Sequence, residues 1–442
     1  MSTVDSSGRQ AREPLSARGI AARVVERTLH AGLFLSDVLD QELSGSSLSS
    51  RDRALATELA YGAVRLERPL LTKLHELAPR GVAKGDPLAQ AHLLVAAYQL
   101  LALDRVPAFA AVSEAVEALR RLRGAKVAGF ANAVLRRLTQ QREGFSLALA
   151  LEASVQPWLL DELQRAVGRE AALGLLGASL ASERRGLCVR LPERVQELPE
   201  WAGSAEQGTL APRAYWLAPR GDLRKLSGFV EGDFVVQEEG AQWAALALGA
   251  RPGERVLDAC AGHGQKSSLI AERLGASGAL WVNDTSNPKL ERLQREFERL
   301  RLPAPHVTNV DLIAGTGDLP SDFDRVLVDA PCTGTGTLRR RPEIARRLTV
   351  EDGRRLGERA RTILRNAAAT ARVGGRVVYV VCSVLRPECE EVAESVRDVL
   401  EPIPFDAPDA VKLLGAEASE CRLLPSVHGT DGYYVASFVR RA

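Results

Sequence analysis

Two apolar runs constrain this chain more than any other feature of its sequence. Val326-Leu327-Val328-Asp329-Ala330-Pro331-Cys332 and, later, Arg376-Val377-Val378-Tyr379-Val380-Val381-Cys382 are rich in β-branched residues and show no polar alternation. Such a run suits a parallel strand covered on both faces, and in an open α/β sheet the carboxyl ends of parallel strands form the ligand crevice. One cysteine after a strand is more often a small buried hydrophobe than a reagent. Two thiols at matched strand ends, one of them inside Asp-Ala-Pro-Cys, point to chemistry in a shared cleft.

The flanking sequence supplies the rest of that sheet. From Arg251 onward, strand patterns at Arg255–Asp258, Ala279–Asp284 and His306–Asp311 alternate with helical patterns at Ser267–Leu274 and Lys289–Leu300. A helix over Thr349–Ala371 and a Gly374-Gly375 turn join the two cysteine-bearing strands, and Tyr433–Phe438 closes the series. This alternation predicts a doubly wound α/β, Rossmann-like domain. An acid ends each successive strand: Asp258, Asp284, Asp311 and Asp329. The turn after the first strand lacks Gly-x-Gly-x-x-Gly and a phosphate-loop lysine-serine. Carboxylates repel phosphates but accept hydrogen bonds from ribose hydroxyls and an adenine amine. S-adenosylmethionine, cationic at sulfur and free of phosphate, is the cofactor these residues favour.

At 442 residues the chain is too long for one ordinary core. We expect a disordered leader over residues 1–13, an all-α bundle over 14–145, an α+β connector over 146–235 and the Rossmann-like domain over 236–442. In the bundle, Leu93–Leu101 is apolar almost all round and reads as a central buried helix. The six cysteines include no Cys-x-x-Cys pair, so neither zinc nor a disulfide framework is indicated, and no metal is expected. No apolar run is long enough to span a bilayer, and residues 1–13 lack a signal-peptide core. The expectation is a cytoplasmic monomer without a membrane partner. A net charge of +2 announces no polyanion. Clusters such as Arg120, Arg121, Arg123, Lys126, Arg136 and Arg137, or Arg339, Arg340, Arg341, Arg346 and Arg347, are either phosphate-facing or solvated faces.

The front segment resembles the NusB family of RNA-binding bundles. The resemblance rests on Arg51-Asp52-Arg53, Tyr61-Gly62, Tyr98-Gln99-Leu100, Arg105-Val106-Pro107, Ser113-Glu114-Ala115-Val116 and Asn132-Ala133-Val134-Leu135-Arg136. Read by itself, Asn132 is expected to bond backbone inside the bundle. The C-terminal half is similar to the RNA cytosine-5 methyltransferases, on Asp329–Arg340, Cys382-Ser383-Val384 and His428–Tyr434. With the NusB-like front, the whole resembles the ribosomal RNA small subunit methyltransferase B family.

That resemblance implies methyl transfer from S-adenosylmethionine to carbon 5 of a cytosine in RNA, with 16S ribosomal RNA as the target. It implies a cofactor site made by the loop Cys260, Ala261, Gly262, His263, Gly264, Gln265 and Lys266 together with Asp284, Asp311 and Asp329. Cys382 is the implied nucleophile, Asp329 the group that hydrogen-bonds the base, and Cys332 the candidate to assist release. Lys266 is a candidate to orient Asp329. His263 and Gln265 stand where the family carries proline and glycine, and Val381 where it carries threonine. Three other readings stay open: a transfer-RNA methyltransferase, a DNA cytosine-5 enzyme attacking through Cys332, and a non-catalytic RNA-binding assembly factor.

Overall fold

The computed structural model describes residues 15–79, 86–177, 185–190, 200–218, 223–407, 413–414 and 417–442; the leader expected at 1–13 lies outside them. The chain divides into two compact units, Met1–Gln156 with Arg341–Glu343, and Pro157–Arg340 with Ile344–Ala442. Helix Leu147–Ala153, placed in the connector by sequence, falls in the first unit, and the connector strands share the second unit with the large sheet.

The first unit is helical: α1 (Ala17–His30), α2 (Leu35–Ser44), α3 (Ser50–Arg65), α4 (Glu67–Leu77), α5 (Pro87–Ala102), α6 (Ala108–Arg123), α7 (Ala125–Thr139) and α8 (Leu147–Ala153). Helix α5 starts at the Asp86 cap, whose carboxylate accepts from the Ala89 amide, with Pro87 just inside the helix. It is apolar on every side because α1, α3, α4, α6 and α7 all pack on it. Gly62 of α3 lies flat against the buried Tyr98 ring of α5, and the Tyr98 hydroxyl donates to Glu58. Arg18 of α1 donates to Gln99 (2.7 Å) and to Glu114 of α6 (2.7 Å), pinning three helices together. Several residues that carried the NusB resemblance are thus packing and tethering groups. Asn132 does not sit inside the bundle as expected. It lines an open groove of about 690 Å³ between α6 and α7, with Phe109, Arg120 and Arg136. The arginine cluster nearby is partly neutralised, since Arg120 and Arg121 pair with Glu117 and Arg123 pairs with Asp86.

The second unit opens with α9 (Pro157–Val167) and α10 (Arg169–Leu176), then a small antiparallel sheet of β1 (Arg185–Val189), β2 (Glu206–Gln207), β3 (Ala214–Leu217) and β4 (Phe234–Val236), in the order β2-β3-β1-β4. The main elements follow as α11 (Glu239–Leu246), β5 (Arg255–Asp258), α12 (Gln265–Leu274), β6 (Ala279–Asn283), α13 (Asn287–Arg299), β7 (His306–Thr308) and β8 (Phe323–Asp329). Next come α14 (Glu343–Arg347), α15 (Val350–Ala368), β9 (Ala371–Val381), α16 (Glu390–Glu394), β10 (Leu400–Pro402), β11 (Glu420–Leu423) and β12 (Tyr433–Arg440).

The large sheet runs β10-β12-β9-β8-β5-β6-β7, with β11 on β12. The five strands from β5 to β9 pair in parallel, whereas β12 pairs antiparallel to β9, so the sheet is mixed. Alternate residues of the apolar runs enter opposite cores: Leu327, Val378 and Val380 join the side carrying Trp243 and Phe297, while Val326, Val328 and Tyr379 join the side carrying Leu364 and Val392. The expected Gly374-Gly375 turn is instead a bulge within β9. Phe323 pairs with Ala371 but Arg325 with Arg376, and Gly374 takes φ +75° to absorb the extra residues. The third strand stops at Thr308, short of the expected Asp311. Among the described residues no helix is long and apolar enough to cross a membrane.

The Gly62–Tyr98 contact yields a stability test. A methyl group at position 62 would overlap the Tyr98 ring, so Gly62→Ala should cost about 2–3 kcal/mol. Thermal unfolding should show a melting temperature lowered by several degrees.

Candidate active site

Parallel pairing sets Asp329 opposite Val380, so β8 and β9 end at one level and their cysteines emerge side by side. The Cys332 and Cys382 sulfurs are 3.4 Å apart, and both residues remain partly accessible. Its hydrogen bond with Cys382, and burial next, hold Cys332 well above the usual thiol range. Asp329, also at the end of β8, accepts from the Lys266 ammonium at 2.7 Å. Burial disfavours the Lys266 charge, but Asp329 outweighs it, with Cys382 adding to the effect, and the ammonium stays protonated. Lys266 thus places a fixed positive charge within reach of both Asp329 and Cys382.

Both cysteine loops are clamped. The Gly336 amide donates to the Cys382 carbonyl (3.0 Å), and the Gly336 carbonyl accepts from the Gly432 amide (2.8 Å). A Cβ on Gly336 would collide with the Gly432 carbonyl, so glycine is required for this approach. Arg340 pairs with the fully buried Asp431, and Arg339 lies 3.6 Å from it, so neither alternative left by the sequence, a phosphate-facing or a solvated face, anticipated this partner. The Asp431 amide in turn donates to Glu238 (3.0 Å). Burial, and then the Asp431 charge, push the Glu238 carboxyl up to about 7.

The cofactor end is built at the ends of β5, β6 and β7. Gly262 takes φ +55° and its amide donates to Asp284 (3.1 Å), while Ser286 donates to the other Asp284 oxygen (2.9 Å). Asp311 is exposed, with one oxygen accepting from the Ile313 amide. Asp258 departs from the expected row of acids. It is buried beneath the loop and accepts from Ser267 (2.6 Å), and burial pushes its carboxyl up to about 7. Cys260 and Ala261 are half-buried, and His263 is exposed. Gly264 makes the left-handed turn into α12 against Leu293. Gln265 turns away from the loop and donates to the Val236 carbonyl of β4 (2.9 Å).

Sequence reading missed the buried Asn283, which donates to the Ala259 and Val310 carbonyls and accepts from the Val310 amide. Its position at a strand end was the available signal. The donor set fits a phosphate-free nucleoside carrying a positive charge. Carboxylates stand at the ends of β6 and β8, and open space surrounds the missing Cβ of Gly262.

Comparison with known proteins bears on this geometry. A family model described as 16S rRNA methyltransferase RsmB/F matches residues 245–439, and the NusB family model matches residues 15–140. The chain is 30% identical to the probable ribosomal RNA small subunit methyltransferase B of Bacillus subtilis (strain 168), covering 96% of this chain and 99% of that protein. A putative methyltransferase of Mycobacterium tuberculosis is 36% identical, over 99% of this chain and 97% of its own length. Among solved structures, that of PH0851 superposes with a TM-score of 0.77 at 21% identity, covering 97% of this chain and 100% of that one. NSun6 from Pyrococcus horikoshii with SFG gives 0.54 at 16% identity, over 64% and 97%.

The orientation of Gln265 sets an expectation for the cofactor loop. Because its side chain points toward β4, Gln265→Gly should change S-adenosylmethionine affinity by less than about tenfold, or 1.4 kcal/mol, in a calorimetric titration. A larger loss would give the glutamine a binding role.

Proposed function

Since the chain belongs to the ribosomal RNA small subunit methyltransferase B family of S-adenosylmethionine-dependent RNA methyltransferases, we propose that it methylates carbon 5 of a cytosine in 16S ribosomal RNA through a covalent cysteine–cytosine adduct. The observation that carries this reading is the pair of thiols 3.4 Å apart, beside the Lys266–Asp329 ion pair.

The cofactor loop from Cys260 to Lys266, with Asp284 and Asp311, would hold S-adenosylmethionine, and Asp329 borders both cofactor and base. When bound, that cofactor supplies a methyl group made electrophilic by its sulfonium. Carbon 5 of cytosine is a poor nucleophile. Cys382, as thiolate, adds to ring carbon 6, and the displaced electron pair makes carbon 5 enamine-like and able to take the methyl group. The Lys266 charge favours the thiolate. Asp329, held by Lys266, accepts from the exocyclic amine at the cytosine edge, and the Lys266 charge offsets the negative charge that develops on the ring on addition. After transfer, solvent takes the proton on carbon 5; its electron pair re-forms the ring double bond as the carbon 6–sulfur bond breaks and returns the Cys382 thiolate. Cys332, adjacent to Cys382, assists that release. The base must leave its stack to reach this cleft, which favours a single-stranded or loop cytosine. The NusB-like unit is assigned to substrate choice, since every candidate catalytic group lies in the second unit.

Two experiments test this. Bisulfite sequencing of 16S and transfer RNA from a deletion strain should show one protected cytosine lost from 16S RNA, and loss from transfer RNA alone would move the target. The cysteines should fail in opposite ways. Cys382→Ala should abolish methyl transfer and form no adduct. Cys332→Ala should accumulate an RNA-linked species with S-adenosylmethionine, seen as a slow band on a denaturing gel, and the double variant should show none. If Cys382→Ala traps RNA and Cys332→Ala does not, the roles are reversed.

A further inference from the structure

We propose that Glu388 is a positioning residue that holds Cys332 in register with Cys382, keeping the releasing thiol beside the attacking one. The proposal rests on the thiol roles given above and adds a residue that sequence motifs did not single out. Glu388 ends a 3₁₀ turn, Arg386–Glu388, and is fully buried. Its two carboxylate oxygens accept from the Thr333 amide (2.6 Å), the Thr333 hydroxyl (2.6 Å) and the Ser383 hydroxyl. Thr333 follows Cys332 directly and Ser383 follows Cys382, so one carboxylate bridges the two reactive loops.

The surrounding protons can be assigned without conflict if Glu388 only accepts. Thr333 and Ser383 donate to it, Thr335 donates to Ser383 (2.9 Å), and the Val384 and Leu385 amides donate to Thr335 and Ser383. Burial pushes the Glu388 carboxyl upward, against the pull of these hydrogen bonds. No ion pair to Glu388 occurs among the described residues, so its buried charge rests on hydrogen bonds alone. A group of that cost is retained for geometry rather than for stability.

The two loops depend on it unequally. Cys382 keeps its carbonyl bond from Gly336, and Ser383 keeps its carbonyl contact with the Cys389 thiol. Thr333 directs both its amide and its hydroxyl to Glu388. Gly336 still holds the far end of the Cys332 loop, so weakening Glu388 loosens the turn directly after Cys332 first, and the defect should resemble loss of Cys332 rather than loss of Cys382.

The full-length protein is compared as wild type, Cys332→Ala, Glu388→Gln and Thr333→Val, with S-adenosylmethionine and protein-free 16S RNA. Glu388→Gln is nearly isosteric, yet its amide nitrogen meets the hydroxyls as a donor. Turnover should fall about tenfold, the scale of one disrupted buried hydrogen bond, with cofactor affinity unchanged. The methylated adduct should accumulate to a level between wild type and Cys332→Ala. Thr333→Val, which removes only the hydroxyl arm, should move both readouts the same way by a smaller factor, and it decides the matter if Glu388→Gln does not fold. Adduct from Cys332→Ala with none from Glu388→Gln or Thr333→Val overturns the role of Glu388 and leaves the thiol roles standing. Absence of adduct from Cys332→Ala overturns those roles and this inference with them.

Discussion

The parallel pairing of β8 with β9 is the constraint on which the rest of the second unit depends. It needs strands covered on both faces, and the alternating insertion of Val326, Leu327 and Val328 into two separate cores provides that cover. Because the register sets Asp329 beside Val380, the residues that follow have no choice but to meet. The 3.4 Å approach of the sulfurs follows from strand register, and the loops only refine it. That refinement uses backbone, through Gly336 between Cys382 and Gly432, together with the Glu388 carboxylate that bridges Thr333 and Ser383. The buried Asp431, paired with Arg340 and seated on Glu238, fixes the segment that supplies Gly432.

The cofactor end shows a different economy of charge. Acids gather at the proposed cofactor end, and two lysines among them are committed, Lys266 to Asp329 (2.7 Å) and Lys289 to Asp284 (3.8 Å). The small antiparallel sheet contributes here as well. Arg190 of its loop and Arg213 both pair with Glu272 of α12, and Glu239 of α11 accepts from the Leu210 and Ala211 amides and the Trp216 indole. The helix that begins at the cofactor loop is therefore braced from the connector, and Gln265 extends that brace to β4.

Much of this was legible from pattern alone. Period, β-branching and strand-end residues identified the α/β sheet and the central helix α5, because both follow from burial that the chain cannot avoid. Family resemblance supplied the thiol roles and the cofactor loop as proposals. What escaped the reading was long-range and polar. Asp258 looked like its fellow acids until the structure turned it under the loop toward Ser267. Arg339 and Arg340 fit either a phosphate-facing or a solvated face by sequence, because no local signal reveals Asp431. Asn132 looked like an interior hydrogen-bonder yet faces a groove, and nothing in the sequence signalled that Glu388 would be fully buried. Propensity cannot report a partner that is distant in the chain. The bulge at Gly374 resembled a turn for the converse reason, since its glycine pair carries the same local signature.

The bond from the Asp431 amide to Glu238 joins residues 193 positions apart, and the thiols themselves are separated by 50. Loops of that span close slowly, after local helices and adjacent strands have formed. The cleft is consequently a late product of folding. A chain that has built its helices and its first parallel strands still keeps its two cysteines apart and its carboxylates in water. Pairing of β8 with β9 brings the two thiols to one level, and only a molecule that has completed the sheet through β12 adds the Gly336–Gly432 clamp over them.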